Sequence, residues 1–302
     1  MRFTKISFTL LLTLILAVSC ERSSTTSAPP DDQDTTITLP KSAKRGLSYD
    51  LIHAADLDTL KSGVSWWYNW YFNTEAPESY YDDYSIEFIP MLWGGNTSSS
   101  NLAEARTFIL DHPEIEYLLV MNEPNLTDQA NRTPGEAVND WLIYEQFLFD
   151  LANNDGRELK LVGPAMNWGT MSGYSDPVVW LDTFYATYQA SQGRDPRIDY
   201  LAFHWYDYGL SQQLDRLQKY DKQIWITEMA NWNSNINSYA EQIVQMTEMV
   251  AICESRDDVF RYAWFIGRGD FPGNHYTYLF NLDPGDLTDL GYTYINLPYS
   301  GE

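Results

Sequence analysis

Cysteine is almost missing from this chain of 302 residues. Only Cys20 and Cys253 are present, so no disulfide framework can carry the fold. Cys253, in "MVAICES", reads as a small residue on an apolar helix face. Histidine is equally scarce. The four present show no metal-ligand spacing such as HExxH, so neither a metal nor a cofactor is expected. Positive charge is in deficit, with 19 Lys and Arg against 42 Asp and Glu and a formal net charge of −23. Such a field repels polyphosphates, which excludes nucleic acid as a partner and favours a neutral ligand. Glycine-rich phosphate loops are also lacking. The first strand candidate runs into "GLSYDLIHAADL", with one glycine, so a doubly wound dinucleotide-binding sheet is excluded. No internal repeat is found.

The longest apolar run, "ISFTLLLTLILAV", is too short to span a membrane comfortably. It follows "MRFTK", with two positive charges, and precedes "SC", which is the layout of a secretory signal. With Cys20 at the cleavage point, residues 1–19 resemble a bacterial lipoprotein signal and Cys20 is the expected lipidation site, although Ala17 is a less usual residue three places before it. Residues 20–42, rich in Ser, Thr, Pro and Asp, read as a flexible polar tether. An exported lipoprotein of the bacterial outer membrane or cell surface is therefore expected, held to the membrane by its lipid and otherwise monomeric.

What is abundant is apolar and aromatic: 44% hydrophobic residues, with 11 Trp and 22 Tyr. That suffices for a sizeable core, and the rings are the usual platforms for the flat faces of sugars. Short apolar runs recur at 44–49, 63–70, 86–92, 116–121, 159–165, 198–206, 223–228 and 261–266. Amphipathic stretches such as "NLAEARTFILDH" and "SYAEQIVQMTEMVAICES" lie between them. Eight strand–helix alternations over about 250 residues predict an α/β fold, a (β/α)8 barrel, as one domain over 43–302.

In such a barrel chemistry collects at the C-terminal ends of the strands. The fourth strand, "YLLVM", runs into Asn122 and Glu123, and the seventh, "QIWITE", ends on Glu228. Neither acid has a basic residue within four positions. Two carboxylates at one barrel mouth are what glycoside hydrolysis requires, one to protonate the leaving oxygen and one to attack C1 or activate water. Asn122, beside the first, is placed to hydrogen-bond a sugar 2-hydroxyl. Tyr68, Asn69 and Trp70 end the second strand, Trp93 ends the third beside two glycines, and Asn167 and Trp168 close the fifth. His204 and Tyr206 on the sixth are placed to orient Glu228. Strand parity leaves open which of Trp66 and Trp67 faces the cleft. The acids of "DPGDLTD", 283–289, are spaced like a calcium loop but lack its distal bidentate Glu, so a turn is expected there.

The ordered set "LSYD", "SWWYNW", "IPMLWG", "NEPN", "LVGPAMN", "LAFHWY", "WITEMA" and "YAWFI" resembles glycoside hydrolase family 128, β-1,3-glucan hydrolases among the retaining barrel glycosidases. The resemblance runs from about Arg45 to the end of the chain. It implies Glu123 as acid/base, Glu228 as nucleophile, Trp67 as the cleft-facing ring of its pair, Trp264 as the ring beneath the cleaved sugar, and a β-glucan as partner. Two other readings share the aromatic cleft: a silent glucan-binding lipoprotein, and a glycanase for another β-glucan linkage. Only an enzyme needs both glutamates.

Overall fold

A computed structural model describes residues 40–269 and 275–299. The signal segment 1–19, the lipidation site Cys20 and the tether up to residue 39 lie outside the described residues. Lys41 and Ser42, read from sequence as the end of the tether, already belong to the domain. Lys41 Nζ donates to the Val64 and Ser85 carbonyls, at 2.7 and 2.8 Å, and the buried Ser42 hydroxyl donates to Glu254. Polarity alone does not separate a solvated Lys–Ser pair from a docked one.

Nine strands form one wholly parallel sheet: β1 Arg45–Ser48, β2 Trp66–Tyr68, β3 Glu87–Phe88, β4 Met91–Leu92, β5 Tyr117–Val120, β6 Lys160–Met166, β7 Tyr200–Trp205, β8 Ile224–Met229 and β9 Val259–Trp264. The sheet order is β3-β2-β1-β9-β8-β7-β6-β5-β4. Its two ends, β3 and β4, are halves of the single strand expected over 86–92, broken at Pro90. Proline has no N–H for the ladder, so the strand changes partner there. Ile89 N donates to Trp67 O at 2.9 Å on one side, and Pro90 O accepts from Leu119 N at 3.0 Å on the other. This exchange closes the barrel, and counting the broken strand once leaves eight.

Each of those eight is followed by a helix. Among them α1 is Ala54–Leu60, α2 Tyr80–Tyr84, α3 Ser99–Asp111, α4 Pro134–Asp155, α5 Pro177–Gln192, α6 Leu210–Leu217, α7 Tyr239–Ser255 and α8 Asp289–Asn296. The long helices start where the sequence supplies caps. Thr133 and Glu136 form a reciprocal capping box on α4, worth about 1 kcal/mol for such a cap, and Asp176 with Pro177 opens α5. The segment 283–289 is a turn, closed by Asp286 N on Asp283 O and ending in the Thr288 cap of α8.

Alternation along the strands sorts apolar side chains into two layers. The larger lies between strands and helices. The smaller fills the barrel and includes Trp66, Tyr68, Met91, Tyr117, Leu119, Val162 and Trp225. Trp66 and Tyr68 therefore point inward and Trp67 outward, where its ring meets Tyr80 edge-on at 4.9 Å and Phe88 at 5.3 Å. The expectation that Trp67 lines the cleft is corrected: it belongs to the outer layer. Trp66 does not line the cleft either, lying deep in the barrel against Trp225.

Candidate active site

The C-terminal strand ends converge on a cleft of about 760 Å³ lined by Trp70, Trp93, Glu123, Trp168, Tyr206 and Glu228 among others. The turn after β5 is what sets the first acid. Met121 and Glu123 flank Asn122 in left-handed backbone conformations, φ 58° and 46°, which non-glycine residues rarely adopt. Backbone bonds hold them there: Met121 N to Leu92 O at 2.9 Å, Asn122 N to Trp93 O at 2.7 Å and Glu123 N to Ala165 O at 2.8 Å. The neighbouring Asn125 amide donates to the Asn167 and Tyr174 carbonyls, at 2.7 and 3.2 Å. Gly169 makes this packing possible, since a Cβ there would lie 2.1 Å from Asn125 O.

Glu123 Oε1 accepts from Asn167 Nδ2 at 2.8 Å and contacts His204 Nδ1 at 2.8 Å, which leaves Oε2 free towards the cleft. Glu228 Oε1 accepts from the Tyr68 hydroxyl at 3.0 Å and from Trp70 Nε1 at 2.8 Å, and Oε2 accepts from the Tyr206 hydroxyl. His204 Nδ1 also stands 3.3 Å from Glu228 Oε2, and its Nε2 meets the Thr227 hydroxyl at 2.9 Å. The imidazole is thus wedged between the two acids, and one ligand-capable atom from each of the three side chains lies within 4.8 Å of the other two.

Burial alone would favour a neutral ring, but the charge of Glu228 and the bond and charge of Glu123 outweigh it, and the His204 pKa lies above its ordinary value. Burial likewise pushes the Glu123 carboxyl up. The hydrogen bond and charge of His204, with the Asn167 amide, overcome it and leave the carboxyl below its usual range. Simple repulsion between two carboxylates, expected to raise Glu123, is therefore masked by the cation lodged between them. Glu123 and His204 therefore titrate together and not as independent groups.

This triad is also the one cluster of three metal-capable side chains among the described residues. All of its polar atoms except Glu123 Oε2 are committed to one another or to Tyr68, Trp70, Tyr206, Asn167 and Thr227. A cation would have to displace those donors, so the arrangement is that of a hydrogen-bonded acid–base pair.

Of the residues chosen from sequence, Asn122, Trp70, Trp93, Asn167, Trp168 and Tyr206 line the cleft with Glu123 and Glu228. Asn122 Nδ2 donates to Gln129 at 3.3 Å, while its Oδ1 is buried with no protein partner. Trp93 and Trp168 are 38% and 44% exposed, Trp168 with the Arg216 guanidinium over one face at 5.3 Å from the ring centre. Tyr68 and His204 are completely buried, so they act on the carboxylates and do not reach a ligand. Two further expectations are corrected. Asn69 is a loop brace, its amide donating to Asp50 at 3.1 Å and to Asn73 O at 3.0 Å. Trp264 faces the outer layer, with Nε1 on Thr277 O at 2.8 Å and its ring against Tyr294 at 6.1 Å. The next residues, Phe265 and Ile266, line the cleft instead.

Residues the sequence reading missed include Gln129, Trp232 and Phe265. Trp232 lies only four positions after Glu228 in "TEMANW", a spacing that was visible. Beyond Trp70 and Trp93 the cleft continues into a second groove of about 790 Å³, lined by Tyr71, Phe72, Asn96, Asn101 and Arg132 among others. The site is an open trough and not a blind hole.

The profile of the family described as Glycosyl hydrolase catalytic core matches residues 46–294. Among solved structures, a GH128 (subgroup II) endo-β-1,3-glucanase from Pseudomonas viridiflava is 51% identical, with TM-score 0.79, over 86% of this chain and 100% of that one. A GH128 (subgroup I) endo-β-1,3-glucanase from Amycolatopsis mediterranei, in complex with laminaritriose, is 25% identical, with TM-score 0.62, over 83% of this chain and 98% of that one. Alkali-sensitive linkage protein 1 of Schizosaccharomyces pombe is 28% identical over 270 residues, 84% of this chain. The chain spans 45% of the length of that curated relative.

Proposed function

Because the chain belongs to glycoside hydrolase family 128, we propose that it cleaves β-1,3-glucan within the chain, by double displacement, with Glu123 as acid/base and Glu228 as nucleophile. The observation that carries this reading is the pair of carboxylates, with ligand-capable oxygens within 4.8 Å, at the mouth of an aromatic trough. An inverting pair stands about 6.5–9.5 Å apart to admit a water, and a retaining pair about 5–5.5 Å. The trough runs on past Trp93, as an enzyme binding the middle of a polymer requires.

The geometry divides the work between the two acids. Three donors, Tyr68, Trp70 and Tyr206, hold both oxygens of Glu228 and aim its carboxylate at C1. Glu123 presents Oε2 to the glycosidic oxygen and must carry the donated proton on that oxygen, since Oε1 is held by the Asn167 amide and by His204 Nδ1, each at 2.8 Å. Bound sugar displaces the water that favours the separated charges, and the neutral acid–imidazole pair becomes the better state. Protonation of the leaving oxygen and attack by Glu228 form a glycosyl ester. The negative charge on Glu228 is then lost, and Glu123 accepts a proton from the water that opens the ester. Asn122, which lines the cleft beside Glu123, binds the 2-hydroxyl of the reacting sugar through its side-chain amide, a bond that strengthens in the transition state. Cys20 carries the lipid that holds the enzyme at the membrane.

Two variants test the assignment. With an activated aryl β-glucoside, Glu123→Ala should lose less activity than on laminarin, and added azide should yield the β-glycosyl azide. Glu228→Gly should be inactive on both substrates, and azide, displacing the aglycone of the β-glucoside from the face Glu228 vacates, should give the α-glycosyl azide by a single inversion. Identical behaviour of the two variants, or inverted early products by NMR, would refute the roles. No hydrolysis of laminarin by the wild type would refute the activity.

A further inference from the structure

Trp232 lines the cleft, and an indole there would ordinarily be a sugar platform. Its faces are already taken. The Tyr206 ring lies 4.1 Å away at 28°, and the His275 ring 4.8 Å away at 17°. Two rings at those distances would collide on one face of an indole, so Tyr206 and His275 occupy opposite faces. The indole edge is closed by Phe265, 5.6 Å from Trp232 at 69°, which also meets Tyr206 edge-on at 5.7 Å. Trp232 keeps 38% exposure around these contacts.

We infer that the stack of His275, Trp232 and Tyr206 is a positioning device for Glu228, registered from outside the cleft by Gln242 on α7. The inner ring of the stack is the one that donates to Glu228 Oε2. Trp232 is tied to it a second time, through Trp232 N on Tyr206 O at 2.8 Å. Gln242 is completely buried, and its single amide nitrogen donates to Asn231 O and to His275 O, both at 2.8 Å. One side chain thus fixes the backbone beside Trp232 and the backbone of His275 relative to each other. Two loops that share no strand, after β8 and after β9, are brought to one spacing, and that spacing sets how far the Tyr206 phenol reaches. The Gln242 Oε1 is buried without a partner, so Gln242 is kept there at a cost, which suits a residue held for register and not for stability alone.

This proposal rests on the assignment of Glu228 as nucleophile and concerns turnover, not binding. Misplacing a reacting group by a fraction of an ångström to 1 Å costs about tenfold to a hundredfold in rate. His275→Ala, an exposed position, should leave the melting temperature within about 2 °C, lower kcat about tenfold and leave KM for laminarin within about twofold. His275→Phe, which keeps a ring on Trp232, should restore most of kcat. Gln242→Met, which cannot donate, should lower kcat in the same way. Wild-type kcat in His275→Ala, or His275→Phe as slow as His275→Ala, would overturn the stack. A loss confined to KM would assign the rings to sugar binding and overturn it too. Wild type unable to hydrolyse laminarin would instead remove the functional reading on which the stack depends.

Discussion

Replacing Arg261 with methionine should destabilise the barrel by about 3 kcal/mol, with a pH dependence opposite to that of an ordinary surface pair. Arg261 closes the N-terminal end of the barrel. Its guanidinium pairs with Glu87 at 2.6 Å, with the two side chains only 14% and 12% exposed. It also lies 4.8 Å from the ring centres of Tyr117 and Trp225 and within 5.8 Å of Phe260 and Trp66. Removing one partner of a buried pair leaves the other charge without a counterion, which typically costs about 3–5 kcal/mol. The slight exposure of both groups places this pair at the low end. Methionine against the aromatic rings recovers part of the lost cation–π attraction. At roughly 2–3 °C per kcal/mol for a domain of this size, Tm should fall by roughly 6–9 °C.

The sign of the pH effect follows from Glu87. Burial pushes its carboxyl up, and the charge and hydrogen bond of Arg261 restrain that rise only in part. A carboxyl whose folded pKa exceeds its unfolded one favours folding at acidic pH, and that contribution is lost as pH rises through the folded value. Without Arg261 the restraint is gone. The defect should be greatest near about pH 8 and shrink as the pH falls towards about 5. Calorimetric melts of the wild type, Arg261→Met and Arg261→Met/Glu87→Gln across that range are the assay, with the double variant recovering most of the loss. A single variant that melts with the wild type, or a defect that grows on acidification, would refute the reasoning.

Trp168→Ala, and separately Trp93→Ala, should weaken binding of laminari-oligosaccharides about tenfold, the loss of one stacked face worth about 1–1.5 kcal/mol; calorimetric titration giving wild-type affinity in both would place the sugar elsewhere. For His204, burial depresses the imidazole pKa but Glu228 and Glu123 raise it further, so its stabilisation is present below about pH 6.5 and lost as pH rises through the higher folded value. The stability gap between wild type and His204→Gln should therefore narrow from about pH 6 to about pH 9 in denaturant titrations, and a gap that widens would contradict the wedged imidazolium. Cys20→Ala should move the protein from the membrane to the soluble fraction, and labelled fatty acid absent from the wild type would defeat the lipid anchor.

The two acids were legible in one dimension. An apolar run ending in Glu123 or Glu228 needs only strand direction to place both at one rim, because every strand of a parallel barrel ends on the same side. Which way a side chain turns was not legible in that way. Counting in twos along β2 cannot choose between Trp66 and Trp67 without knowing which face is inside. Register shifts between β8 and β9 break even a known parity, and one residue's difference put Trp264 outside and Phe265 in the cleft. The partner change at Pro90 depends on the barrel closing, since a proline on an open edge would merely end a strand. His204 shows the same limit in the chemistry. As one histidine in an apolar strand it could have been structural, and the ring becomes an electrostatic element only where closure sets it between acids from β8 and from beyond β5. Composition and period are properties of neighbours along the chain, whereas His204 and Glu123 meet across 81 residues, and a contact that distant exists only in the folded barrel.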